Sequence, residues 1–250
     1  MRGMGWWGIW WMRGALMQRP DAGRAIPLLL GTIVVTFGVF AIYPGLDLWV
    51  SGLFYRGQDR FVLTDVWLAD AMRSVMWTAS DLAAGLAIAG LLASVALRRA
   101  ILRLPCRRWV FLALLFATGP GLLVNGLLKR YWGRARPGDV TEFGGLRHFT
   151  PPHQWTDQCA ANCSFVSGEM AGAVALMVMI LVILWHWRDR VSRAAMRVIT
   201  TVAFAFPLLT GAQRIASGRH FLSDVVLSAL FVLLIAQVLA WLLFPRAKSR

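Results

Sequence analysis

Six stretches of this chain, at about 26–43, 81–97, 109–128, 168–186, 195–213 and 222–244, run almost without charge and are long enough to cross a bilayer. An α-helix rises about 1.5 Å per residue, so roughly 17 to 25 apolar residues span the hydrocarbon layer. The recurrence predicts an all-α, polytopic membrane protein: a six-transmembrane-helix bundle. Composition agrees, with 58% hydrophobic and 15% charged residues and a mean hydropathy of +0.60. Soluble domains are nearer half apolar and about a quarter charged. The second stretch is the weakest by length, but its charges sit only at its ends.

The basic residues orient the bundle. With a cytoplasmic N-terminus, the inner segments hold Arg2, Arg13, Arg19 and Arg24; Arg98, Arg99, Arg103, Arg107 and Arg108; Arg188, Arg190, Arg193 and Arg197; and Arg246, Lys248 and Arg250. Sixteen of the 26 basic residues then face inward, in every inner loop, which is the positive-inside pattern. Both termini are therefore expected in the cytoplasm. The net charge of +14 reads as these loops and not as a nucleic-acid surface. Residues 1–25 form a Trp-rich segment in which Trp6, Trp7, Trp10 and Trp11 recur at helical spacing, suited to lying in the headgroup zone as an anchor. The arginines there interrupt any cleavable signal. Residues 26–244 are expected to make one membrane domain, 245–250 a basic cytoplasmic tail, and 44–80 (including YPGLDLWVSGLFY) an amphipathic hairpin capping the outer surface.

This topology puts three polar clusters on one outer side: KRYWGRARP at 129–137, SFVSGE at 164–169 and RIASGRHFLSD at 214–224. Lys129, Arg136 and Arg214 offer fixed cations for a tetrahedral dianion, and guanidinium groups hold phosphate oxygens in bidentate fashion. Taken singly, each also reads as a boundary cation that anchors its helix. Ser167 and Gly168 open an apolar helix. There, unpaired amides and the helix dipole favour an anion, although an N-cap serine alone needs no ligand. His220 and Asp224, spaced i, i+4, share a helical face, where a carboxylate can fix an imidazole's tautomer.

Together the clusters resemble the type 2 phosphatidic acid phosphatase family, relatives of the vanadium haloperoxidases. The family pattern is K-x6-R-P, P-S-G-H and S-R-x5-H-x3-D. This chain reads Lys129-x6-Arg136-Pro137, Val166-Ser167-Gly168-Glu169 and Gln213-Arg214-x5-His220-x3-Asp224. The resemblance implies a metal-independent lipid phosphatase without cofactor. His220 would be the nucleophile that becomes a phosphohistidine, and Asp224 would orient it. Lys129, Arg136, Ser167, Gly168 and Arg214 would bind the phosphoryl oxygens.

Glu169 stands where the family pattern has the histidine that protonates the leaving oxygen. A buried, low-dielectric site favours a carboxyl that carries a proton, whereas adjacent cations and a helix N-terminus favour the carboxylate. Three readings follow: Glu169 is the acid, the leaving group is a pyrophosphate that needs none, or catalysis is weak. Val166 for proline and Gln213 for serine read as tuning changes. Cys159 and Cys163 lie in the outer loop, where a disulfide is permitted, and Cys106 lies on the inner side as a free thiol. His148 and His153 with the cysteines match no common zinc spacing. Arg130, Arg134, Arg147 and Arg219 read as headgroup contacts or solvated charges.

The implied enzyme is an inner-membrane, multi-pass phosphatase whose active site faces the periplasm and draws its lipid from the outer leaflet. Lipid A phosphate leads as substrate, because several outer cations lie beyond the motif. Undecaprenyl pyrophosphate follows, then phosphatidylglycerophosphate or phosphatidic acid. The same residues suit a lipid phosphotransferase, and a non-catalytic lipid-binding scaffold is the third reading.

Overall fold

A computed structural model describes residues 22–244. The Trp-rich segment's residues 1–21 and the basic tail at 245–250 lie outside the described residues. Six helices among those described are long and apolar enough to cross a membrane. They are α1 (Ala22–Ile42), α3 (Trp67–Ala96), α4 (Cys106–Tyr131), α5 (Gly168–His186), α6 (Arg193–Ala216) and α7 (Leu222–Leu243). A short helix α2 (Gly45–Gly52) and a small hairpin of β1 (Tyr55–Gly57) and β2 (Arg60–Phe61) lie between α1 and α3. The hairpin turns on Gln58 and Asp59, both left-handed with φ of 51° and 58°, as a type I′ turn requires.

Burial shows which helix organises the rest. Of the most apolar window of α5, 72% is buried, against 11% for α1 and 39% for α7. The helix packs on α3, α6 and α7, while α1 leans on α7 from outside. Polarity therefore varies little around α5, which is apolar on every face because every face meets protein. Met170, Val174, Val178 and Leu181 of α5 join Leu112, Leu115, Leu227 and Val232 in one continuous core.

The long third helix departs from the sequence expectation. Residues 67–80, expected within a surface hairpin, are the first turns of α3, and the second span begins at Trp67. Asp70 and Arg73 interrupt the apolar run and so shorten it to the eye. They do not interrupt the helix, because no Pro or Gly falls between Trp67 and Ala84. In α4, the turns widen into a π-helix over Ala117–Leu128, which contains Pro120. Proline has no N–H for the α ladder, and the Asn125 side chain donates to the Pro120 carbonyl at 2.8 Å.

At one end of the bundle the C-termini of α4 and α6 meet the N-termini of α5 and α7. A second, smaller core covers this end: Phe61 of β2 with Ala135, Val140, Phe143 and Phe221. Tyr55, Phe61 and Phe143 pack as a ring cluster with centroids 5.2 to 5.5 Å apart.

Candidate active site

The loop from α4 into α5 crosses this end and brings the three polar clusters together. Gly133 turns it with φ of +73°, and a Cβ there would lie 1.6 Å from the Thr156 carbonyl oxygen. Only glycine fits so close a backbone approach in that conformation. Cys159 and Cys163 are joined as a disulfide with Cα atoms 5.6 Å apart, so neither thiol remains as a metal ligand. Cys106 is free. Among the described residues, no three His, Cys, Asp or Glu side chains gather as a metal site.

His220 is buried, and its Nδ1 lies 2.8 Å from the Ser164 carbonyl. A carbonyl only accepts, so Nδ1 carries the hydrogen and Nε2 keeps its lone pair. Burial, opposed by Asp224 and assisted by the charges of Lys129 and Arg136, pushes the imidazole down to about 4. The ring is therefore neutral at pH 7, the form a nucleophile needs.

Asp224, expected to orient His220, does not bind it directly. Asp224 Oδ2 lies 3.8 Å from Nδ1, outside hydrogen-bond range. That oxygen accepts from the Ser164 hydroxyl and, at 3.0 Å, from the Phe221 amide. Asp224 thus fixes Ser164, and the carbonyl of Ser164 fixes the ring.

Behind Asp224 stands a residue that the sequence reading placed at the surface. Arg134 is fully buried, which corrects its assignment as a headgroup or solvent contact. Its Nη1 donates to Asp224 Oδ1 at 2.6 Å and to Ser223 Oγ at 2.8 Å, its Nη2 to Asp47 Oδ2 at 2.8 Å, and its Nε to the Thr150 carbonyl at 2.7 Å. Asp47, from α2, also accepts from the Ser223 amide and hydroxyl. Burial pushes the Asp47 carboxyl above its ordinary value, against the pull of Arg134. Phe221 stacks under the guanidinium, 4.4 Å from ring centroid to Cζ. Each charge here has its partner, as a buried ionic group requires. An aspartate in a chain with only twelve acidic residues was the one available hint of Asp47.

The cations lie nearby. Lys129 is buried, but among the described residues its ammonium makes no hydrogen bond and no ion pair. It lies within electrostatic reach of Arg136, Glu169, Asp224 and Arg214. Arg136 donates to the Asn162 carbonyl at 2.7 Å. Arg214 is held by Gln213, whose Oε1 accepts from Nε at 2.6 Å while its Nε2 donates to the Ala69 carbonyl.

Ser167 is the N-cap of α5, its hydroxyl accepting from the Met170 amide at 3.3 Å. Its own amide donates to the Asp224 carbonyl, tying α5 to α7. A Cβ on Gly168 would come within 2.6 Å of Asn125 Oδ1, so the start of α5 is fitted to the widened turns of α4.

Glu169 is nine-tenths buried. Arg73 Nε donates to its Oε1 at 2.8 Å, and Arg214 Nη1 lies 2.7 Å from its Oε2. The second contact is a close salt bridge whose N–H geometry falls short of a directed hydrogen bond. Arg73 was not among the expected site residues, because its helix was read as beginning later.

Comparison with known proteins fits this geometry. The PAP2 superfamily profile matches residues 110–248. A Rhizobium etli protein named lipid A 4′-phosphatase is 31% identical over 237 residues, covering 89% of each chain. One of the same name from Rhizobium leguminosarum is 32% identical, over 79% of this chain and 87% of that one. Another, from Francisella tularensis subsp. novicida, is 30% identical over 88% of this chain and 96% of that one. The fold is shared with the crystal structure of a transmembrane PAP2-type phosphatidylglycerolphosphate phosphatase from Bacillus subtilis. The TM-score is 0.57 at 19% identity, over 86% of this chain and 94% of that one.

Proposed function

This chain belongs to the PAP2 superfamily and is a membrane-embedded phosphatase; we propose that it removes the 4′-phosphate of lipid A through a phosphohistidine on His220, at the periplasmic face of the inner membrane. The substrate comes from the names of its relatives. The face comes from the arginines of the inner loops, which lie at the end of the bundle away from the site.

The observation that carries the mechanism is the setting of His220: buried, with Nδ1 2.8 Å from the Ser164 carbonyl, which leaves Nε2 as the nitrogen available to phosphorus. Nε2 attacks phosphorus in line with the leaving oxygen. Charge then spreads over the equatorial oxygens, where Lys129, Arg136, Arg214, the Ser167 hydroxyl and the Gly168 amide receive it. The partnerless ammonium of Lys129 suits that role, because a buried cation needs an anion. Glu169 gives the leaving oxygen its proton. Water then attacks the phosphohistidine, returns a proton to Glu169 and releases phosphate.

A second reading rests on Glu169 itself. Two arginines lie against its carboxyl group, and a pyrophosphate such as undecaprenyl pyrophosphate leaves without a proton donor. Purified protein offered lipid A, undecaprenyl pyrophosphate, phosphatidylglycerophosphate and phosphatidic acid separates these readings. Phosphate release from lipid A, with mass spectrometry placing the loss at the 4′ position and His220→Ala as the blank, is the expected result. Preference for the pyrophosphate supports the second reading. Release from none, with transfer to an added lipid acceptor, identifies a phosphotransferase; neither release nor transfer identifies a scaffold.

A further inference from the structure

The proposed proton donor is held from a helix that carries none of the three motifs. Arg73 sits two turns into α3, with about half its side chain exposed, and its Nε binds Glu169 Oε1 at 2.8 Å. The other oxygen of the same carboxylate, Oε2, is buried with no aligned donor, although Arg214 Nη1 lies 2.7 Å away. Arg73, Met76, Trp77, Glu169, Thr210 and Gln213 line a small cleft that reaches Glu169 from between α3 and α6. Arg214 is close to Oε2 but off the hydrogen-bond axis, so a ligand or a proton can still complete this oxygen.

We propose that Arg73 is a positioning residue for Glu169: by binding Oε1 it turns Oε2 toward the phosphoryl site, making Oε2 the oxygen that exchanges the proton with the leaving group. The inference rests on the phosphatase reading. In the first step, the bond from His220 Nε2 to phosphorus forms, the ester P–O bond breaks, and the proton on Oε2 passes to the departing oxygen. In the second, water gives a proton to Oε2 while its oxygen bonds to phosphorus and the N–P bond breaks. The sum is ester plus water to alcohol plus phosphate, with Glu169 restored.

The arrangement also explains why one cation is not enough. Arg214 is needed by the phosphate, and a guanidinium free to take both carboxylate oxygens would do so in bidentate fashion. With Oε1 engaged by Arg73, Glu169 offers Arg214 only one oxygen, and an arriving phosphate can displace it. Arg73 thus keeps the acid in place when Arg214 turns to the substrate.

The test is a leaving-group series: phosphate monoesters of one acyl-bearing scaffold, from an alkyl ester to aryl esters of increasing acidity. It would be run on wild type, Arg73→Ala, Arg73→Lys, Glu169→Gln and the Arg73→Ala/Glu169→Gln double variant. A positioned acid matters most where the leaving oxygen is most basic. Arg73→Ala should lose about 100-fold in kcat/KM on the alkyl ester and less than about 10-fold on the most acidic aryl ester. Arg73→Lys should recover part of the alkyl loss, and the double variant should match Glu169→Gln within about 3-fold, as residues acting in one unit do. Equal losses across the series overturn the proposal and make Arg73 a binding or structural group. So do losses that multiply in the double variant, or losses confined to substrates with a second phosphate. If Arg73→Ala fails to fold, Arg73→Met, which keeps the side-chain volume, carries the same comparison. A wild-type enzyme inert to the whole series overturns the phosphatase reading, and the proposal with it.

Discussion

The two carboxylates of the site live in opposite surroundings. Asp224 is fully buried, and both of its oxygens are engaged by Arg134, Ser164 and the Phe221 amide, with Asp47 and Ser223 closing the network behind. Glu169 lies on a cleft, paired with a half-exposed arginine on one oxygen and left without a directed hydrogen bond on the other. In the proposed mechanism this difference separates two tasks. A nucleophile that must meet phosphorus in line needs a rigid support, and a fully satisfied polar network supplies it. A group that gives and regains a proton needs an oxygen that its neighbours can release, as Arg214 can when it turns to the substrate.

The largest effect should come from opening the closed side. Arg134→Ala leaves two buried carboxylates facing each other without their cation, a loss of about 3–5 kcal/mol. In detergent this should appear as a fall of roughly 10 °C in Tm, with activity lost as well. A variant as stable and active as wild type would show that the network does not support His220.

On the open side, Glu169→Gln should lower Tm less than Arg134→Ala, because Gln keeps an acceptor for Arg73 and the cleft admits solvent, and should lower turnover of an alcohol-leaving substrate by about 100-fold or more. The loss on a pyrophosphate should be much smaller. Equal losses on both would remove the proton-donor role and, with it, the contrast between the two carboxylates.

The closed side also sets a pH response. His220 falls to about 4 in the folded chain from an ordinary 6.5. The unfolded chain therefore binds the proton first as pH falls, so this group's share of stability is present above about 6.5 and is lost as pH drops toward 4. Activity, read as kcat/KM, should fall in the same direction as the ring takes up its proton near 4. His220→Gln should remove this component of the Tm profile. If the wild-type and variant Tm profiles fall in parallel between pH 6.5 and 4, the ring is not buried neutral.

The smallest effect belongs to the loop over both sides. Cys159→Ser opens a short disulfide loop, costing about 2 kcal/mol. Because the bridge touches neither carboxylate, phosphate release at moderate temperature should stay within about 2-fold of wild type. A larger loss would mean that the bridge holds Arg136 through the Asn162 carbonyl.

How much of this could be read in the sequence follows the same division. The six spans were legible because lipid imposes a length and a polarity on each helix. The motif residues could be picked out because their order and spacing match a family pattern, and the fold brings them to one end of the bundle. Trp67 to Ser80 was misread because Asp70 and Arg73 hide a helix from a hydropathy window, and Arg73's partnership with Glu169 was hidden with it. Arg134 was misread because, in an extended loop, nothing local distinguishes a buried arginine from a solvated one. Its partners Asp47 and Asp224 lie 87 and 90 residues away. The indirect hold of Asp224 on His220, through Ser164, depends on how two loops meet and has no trace in the i, i+4 spacing.

The central claim is that His220 carries the phosphoryl group. The direct measurement is rapid quenching of the purified protein with lipid A labelled with radioactive phosphate at the 4′ position. The account predicts protein-bound label that survives alkali, is released by acid and is absent in His220→Ala. Label that persists in His220→Ala, or steady phosphate release from wild type with no labelled protein at any quench time, would contradict it.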